Sequence, residues 1–481
     1  MFDLRPVGYV TGLLVAALGA AMLIPMGTDL YYQNGHWVMF LEAAIVTFAV
    51  GALAALACHR RRRSKLTLQQ TFLLTTGVWL ALPVFGAIPF WLGEPNARVV
   101  DAFFEAMSGL TTTGATVFVG LQQMPEGVLL WRSMLQWFGG VGIIVVAMVF
   151  LPELRVGGMQ IFRTESFDTD GKVLPRAAEI ASYISGAYFI LTLACYLAYM
   201  AAGIESFHAL NHALTTVATG GFSTFDASFG EFKGAPEYIA ALFMALASLP
   251  FVRYVQIMGG SAAPILKDPQ IRGFIATLAV VYVIVILYLV LGGTSVGQAI
   301  RETVFNVTSI LTGTGYASTD YQTWGPFAVV LFFLIGLIGG CAGSTTCSIK
   351  VFRYQLLFAS IQSQIRRIHS PHGIFTPRYD GRSVSDEVLS SVMVFFVAFV
   401  VSLGVLAILL SATGLDLITS LSGAAAALAN IGPGLGETIG PAGTYTLLSD
   451  TAKWLLAAGM LVGRLELMAV FVLLGSNFWR Q

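Results

Sequence analysis

The chain has 481 residues with 26 basic and 26 acidic side chains, so its formal net charge is zero. Only 11% of its residues are charged, against roughly 25% in an average soluble domain, while 56% are apolar. That balance excludes an ordinary soluble globular protein and leaves no basic excess for nucleic-acid binding.

In chain order, the apolar residues fall into runs at 8–27, 38–58, 68–92, 127–151, 178–203, 236–259, 273–292, 325–349, 387–413 and 446–474. Each approaches or exceeds the about 20 residues that cross a hydrocarbon core of roughly 30 Å. The chain reads as an all-α polytopic membrane protein. The first run contains "ALGAAM", which is similar to a signal cleavage site. It is long for a signal core, however, and no exported soluble domain follows, so it is read as a retained span. "HRRRRSK" (59–65) separates the second and third runs. Threading ten spans places it on one side with Lys267, Arg272, Lys350, Arg353, Arg366, Arg367, Arg378, Arg382 and both termini. The positive-inside rule makes that side cytoplasmic.

Between the spans lie four stretches too short to cross a bilayer: 101–112, 205–218, 300–313 and 416–429. Each opens at or near an acid (Asp101, Glu205, Glu302, Asp416), which suits the positive end of a helix dipole. Twelve to fourteen helical residues reach about 18–21 Å, roughly half a bilayer. After each stretch comes a related phrase: "GLTTTGAT", "LTTVATGGF", "LTGTGYAS" and "ALANIGPG". Irregular backbone at membrane depth is tolerated only when buried in protein or lining water. Four such phrases present glycines at 114, 220, 315 and 432, where carbonyls approach a desolvated cation with no Cβ in the way. The outer acids Glu105, Asp226 and Asp320 are expected to favour cations as well. The pattern predicts a cation filter, with potassium modestly preferred over sodium.

Other clusters carry less chemistry. Cys58, Cys195, Cys341 and Cys347 lack metal-ligand spacing and read as small buried hydrophobes. His208 and His212 stand four apart without the acidic third ligand of a zinc motif, so no transition-metal site is expected. Paired intramembrane aspartates, a GxSG nucleophile with a positioned histidine and a phosphate-cradling loop are all missing from the sequence, so no enzymatic activity is expected.

On these phrases the sequence resembles the Trk/Ktr/HKT superfamily of potassium transporters, most closely its bacterial TrkH branch. The resemblance covers nearly the whole chain. It implies two leading helices (1–66) and four span–pore-helix–filter–span repeats (67–170, 171–268, 269–375, 376–481) around one pseudo-fourfold pore. The filter it implies comprises Thr112, Thr113, Gly114, Ala218, Thr219, Gly220, Gly313, Thr314, Gly315, Asn430, Ile431 and Gly432. Thr314-Gly315-Tyr316 comes nearest to a potassium-channel signature, and Asn430-Ile431 departs most.

The eighth run is interrupted by "GLIGGCAGSTTCSIK", whose glycines loosen a helix. The resemblance implies an intramembrane gating loop there: Gly339, Gly340, Cys341, Ala342, Gly343, Ser344, Thr345 and Thr346. The resemblance also implies that Arg464, in the last run, belongs to the same gate. It either repels cations, assists or pairs with the loop, or forms an ordinary packing pair with an acid such as Glu466. The resemblance further implies a multi-pass bacterial inner-membrane protein, a homodimer with two separate pores, and potassium as the transported ion and sole metal. Nucleotide control would come only through a cytosolic TrkA-like ring protein docking on 152–176 and 350–386, with no covalently bound cofactor. A competing reading is a proton- or sodium-coupled symporter with alternating access. The shortage of titratable residues inside the spans speaks against it.

Overall fold

The structure is a computed structural model that describes residues 3–59, 66–149, 158–159, 177–261 and 263–480. Helices dominate it. Among the described residues, the only sheet is a two-stranded hairpin pairing Arg378–Tyr379 with Arg382–Ser383. Seven helices among the described residues are long and apolar enough to span a membrane: Arg5–Tyr31, Trp37–Cys58, Leu68–Leu92, Glu126–Val146, Ala181–Ala201, Pro269–Leu291 and Asp386–Ser411. The arginine cluster after His59 and most of 152–176 lie outside the described residues.

The leading helix packs tightly on Trp37–Cys58. A Cβ on Gly12 or Gly51 would strike the backbone of the facing helix, near Ala55 and Ala16 respectively. Without water to drive association, such close approach through small residues is how membrane helices gain contact.

The four half-helices are present at Val99–Leu110, Ser206–Val217, Val296–Leu311 and Leu417–Ala429. Asp416 caps the fourth, accepting from the Ile418 and Thr419 N–H groups at 3.0 and 3.1 Å. The third begins four residues before the expected start. Glu302 therefore sits inside the helix rather than at its N-terminus, buried beside Gln298 and Arg301.

Two runs expected to span continuously do not. Ala235–Ala247 and Phe251–Met258 meet at 89°, and Asp450–Arg464 and Met468–Leu474 at 110°. Pro250 lacks the N–H needed to continue the first helix. Glu466 and Leu467 take positive φ values of 61° and 48° at the second break. The eighth run is helical only over Pro326–Gly336, and the chain resumes helix at Val351–His369. Among the described residues, of the four helices that follow the half-helices only Glu126–Val149 runs unbroken.

Candidate functional site

Each half-helix ends in the same turn. Thr112, Thr219, Gly313 and Asn430 are left-handed, with φ of 52°, 51°, 74° and 52°. The next N–H reaches back five residues: Thr113 to Ser108 O (2.8 Å), Gly220 to Thr215 O (2.9 Å), Thr314 to Ser309 O (2.8 Å) and Ile431 to Ala426 O (3.0 Å). The residue after that is a glycine at positive φ: Gly114 (84°), Gly221 (78°), Gly315 (83°) and Gly432 (94°). Asparagine suits the left-handed position at 430, since its short polar side chain tolerates that region. The β-branched Thr112 and Thr219 do not, and such backbone costs of order 1–3 kcal/mol per residue.

This geometry moves the second phrase by one residue. Gly220 occupies the place of Thr113, Thr314 and Ile431, and Gly221 occupies the place of Gly114, Gly315 and Gly432. Ala218 then stands one position before the left-handed residue, matching Thr111 and Thr312 rather than Thr112 and Gly313. Alignment on the Thr-Gly pair passes over Gly221. A usable signal was present: Ser108, Thr215, Ser309 and Ala426 each precede the correct glycine by the same interval.

The four turns close on one another. A Cβ on Gly114 would collide with the Gly220 carbonyl, on Gly221 with that of Thr314, on Gly315 with that of Ile431, and on Gly432 with that of Thr113. The cycle is complete, and all four positions require glycine both for φ and for space. Gly114, Gly221, Gly315 and Gly432 together floor a cavity walled by Thr116, Phe222, Asp226 and Tyr445. Tyr316 braces the third turn from behind. Its buried hydroxyl meets Thr215 on the neighbouring half-helix, and Ser309 Oγ donates to its carbonyl at 2.7 Å.

Immediately beneath the left-handed residues lies the loop between Gly336 and Val351. Thr219 Oγ1 donates to Thr345 Oγ1 at 3.2 Å, and Thr345 Oγ1 in turn donates to Ala247 O at 3.1 Å. Thr112 Oγ1 lies 3.5 Å from Cys347 Sγ, and Ser348 N donates to Ala429 O at 3.0 Å. Elsewhere in the loop, Cys341 N donates to Ser248 O at 3.0 Å and Ala342 N to the Gln270 carboxamide at 2.8 Å. Gly343 O accepts from Phe251 N at 2.9 Å. Gly339 N donates to Ile349 O at 2.9 Å, and Gly340 N to Thr346 Oγ1 at 3.2 Å, folding the loop on itself. Ser344 Oγ closes a turn onto Cys341 O at 2.6 Å.

Arg464 is buried beside this loop. It donates to Cys347 Sγ and Thr345 O, and to Gly139 O at 3.1 Å, with its guanidinium over Trp79. Glu466 instead pairs with Arg353. Of the alternatives open for Arg464, the contacts favour pairing with the loop over a packing pair with an acid. Cys347 is accordingly more than a buried hydrophobe, because it accepts from the guanidinium.

Each outer acid holds neighbouring groups, and Asp226, which is exposed, also walls the cavity. Glu105 is fully buried and pairs with Arg132 at 2.8 Å, while accepting from Thr116 Oγ1 and Val117 N. Arg132 continues to Ser223 O at 2.8 Å, tying the first and second return strands together. Asp226 holds the N–H groups of Gly120 and Leu121, and Asp320 caps Tyr321–Trp324. These carboxylates shape loops. His212 Nε2 lies 3.0 Å from Ser223 Oγ, and His208 Nδ1 lies 2.8 Å from Thr224 Oγ1, so both rings serve the second return strand.

Residues 36–479 match the TrkH family, described as cation transport proteins. The chain is 40% identical to the Trk system potassium uptake protein TrkI of Halomonas elongata, across 99% of this chain and 97% of that protein. It is 36% identical to the Trk system potassium uptake protein TrkH of Escherichia coli K12, across 99% of both. Among solved structures, the crystal structure of the potassium transporter TrkH from Vibrio parahaemolyticus superposes with a TM-score of 0.92 at 36% identity, covering all of both chains. The chain therefore belongs to the TrkH family of cation transport proteins.

Proposed function

We propose that this protein takes up potassium through a gated, channel-like pathway whose filter is the ring of four glycine-centred turns. The observation that carries the reading is the closed cycle in which each glycine lies against its neighbour's carbonyl. Potassium must shed water to pass a narrow pore, and a ring of carbonyl dipoles replaces that shell. The C-terminal ends of the four half-helices converge on the same ring and add partial negative charge. Thr113, Gly220, Thr314 and Ile431 supply the ring carbonyls. Gly114, Gly221, Gly315 and Gly432 let the strands approach.

The loop from Gly339 to Thr346, extended to Ser348 by its contacts, serves as the gate, with Arg464 as its latch. The two leading helices (1–66) and four repeats (67–170, 171–268, 269–375, 376–481) form one pore per chain. Two chains in a homodimer then carry two pores in the bacterial inner membrane, with both termini cytoplasmic. A cytosolic nucleotide-binding ring protein docks on the inner face, where Val351–His369 ends in Arg366 and Arg367 and the hairpin adds Arg378 and Arg382.

Purified protein in liposomes tests the reading. Potassium and rubidium flux should exceed sodium and lithium flux and should proceed down a potassium gradient alone. Strict dependence on a proton or sodium gradient would overturn the channel-like route.

A further inference from the structure

We propose that Gln136 sets the ion preference of this filter by holding one of its four ring carbonyls; the proposal rests on the filter reading above. The carbonyls of Thr113, Gly220, Thr314 and Ile431 occupy equivalent places in the cycle. Among the described residues, only that of Gly220 accepts a hydrogen bond, from Gln136 Nε2 at 2.6 Å. The same carboxamide accepts from Phe222 N at 3.0 Å. One side chain thus grips the strand on both sides of Gly221.

Gln136 is fully buried on Glu126–Val149, the one unbroken helix of its class. A Cβ on Gly220 would press directly on its carboxamide, so the amide is packed as well as bonded. A carbonyl already sharing a lone pair with an N–H has less negative charge to offer an ion and less freedom to turn. Discrimination between potassium and sodium depends on how many carbonyls face the ion, how strong their field is and how freely they move. Among the described residues, the ring therefore presents three carbonyls with no protein donor and one tethered carbonyl. Repeat two is distinguished by a side chain that belongs to repeat one.

Gln136→Met keeps the length and removes both hydrogen bonds. Gln136→Glu keeps the acceptor for Phe222 N and removes the donor. In liposomes, the potassium-to-sodium flux ratio of Gln136→Met should fall about fivefold, the worth of the one hydrogen bond that holds the ring carbonyl. Gln136→Glu should also lower the ratio, and it carries the test if the methionine variant fails to fold. Gly315→Ser serves as the control for the filter itself. If Gly315→Ser lowers the ratio and neither folded Gln136 variant does, the role of Gln136 is overturned and the filter stands. If Gly315→Ser leaves the ratio unchanged, the filter reading falls, and the proposal with it.

Discussion

Arg464 donates from its guanidinium to the Cys347 sulfur, joining helix Asp450–Arg464 to the loop beneath the four turns. The same guanidinium reaches Gly139 O on the helix that follows the first half-helix. One cation thus fastens the loop to a fixed wall.

Removing that fastening should favour the open state. A hydrogen bond to a charged group is worth about 1.5–3 kcal/mol, so Arg464→Met should raise rubidium flux about tenfold or more. Cys347→Ala should raise it less, because Thr345 O and Gly139 O remain as acceptors. Deleting 340–348 should raise flux most. None of the three should alter the potassium-to-sodium ratio, and a changed ratio would place the loop in the filter rather than below it.

Gly221, rather than Gly220, should be the sensitive glycine of repeat two. Gly221→Ser demands φ 78° of a side-chain-bearing residue and drives its Cβ onto Thr314 O, as Gly114→Ser does onto Gly220 O. Its loss of potassium selectivity should match that of Gly114→Ser and Gly315→Ser. At Gly220 the backbone has no positive φ and the obstacle is the tip of Gln136. Gly220→Ser should therefore resemble Gln136→Met, with a smaller shift in the measured flux ratio.

The Glu105–Arg132 pair should matter more for stability than for charge at the pore mouth. Breaking a buried pair from one side costs about 3–5 kcal/mol, because it strands the other charge. Glu105→Gln and Arg132→Met should each lower the thermal midpoint of the detergent-solubilised protein. The double substitution should recover much of the loss. Equal losses from one partner and from both would show that the ion pair itself was not the issue.

Asp416 gives a pH-dependent cap outside the spans. Hydrogen bonds from the Thr419 hydroxyl and N–H, and from Ile418 N–H, hold its carboxyl below the usual aspartate range. A carboxyl depressed in the folded state stabilises above its unfolded pKa, near 3.9, and loses that effect as pH falls through its folded value. Asp416→Ala should cost about 1 kcal/mol at neutral pH. The thermal midpoints of wild type and variant should converge as the medium is acidified well below pH 4.

Composition and periodicity carried most of the fold, because spans and half-helices differ in the length of their apolar runs. The break at Leu465–Leu467 was hidden for the same reason, whereas Pro250 marks the first break in the sequence itself. Hydropathy does not change where the chain turns inside apolar residues, and at the second break the turn is made by leucines and a glutamate. The four Thr/Gly phrases were visible, but the tandem Gly220-Gly221 offered two registers, and the constant six-residue spacing from Ser108, Thr215, Ser309 and Ala426 gains meaning only once backbone angles show the shared turn. Partners distant in sequence were not legible at all. Nothing near Gln136 or Arg132 in the chain points to strand two, and Cys347 reads as a small apolar residue until Arg464 is found beside it.

The loop beneath the four turns is tied to Thr112 on one side, to Thr219 and Ala247 on another, and to Ala429 and Arg464 on a third. As the proposed gate, a loop anchored around its rim cannot withdraw by degrees, since freeing one edge leaves the others in place. Permeation should therefore switch between discrete silent and conducting levels, and single-molecule records should show abrupt steps with no ladder of partial currents.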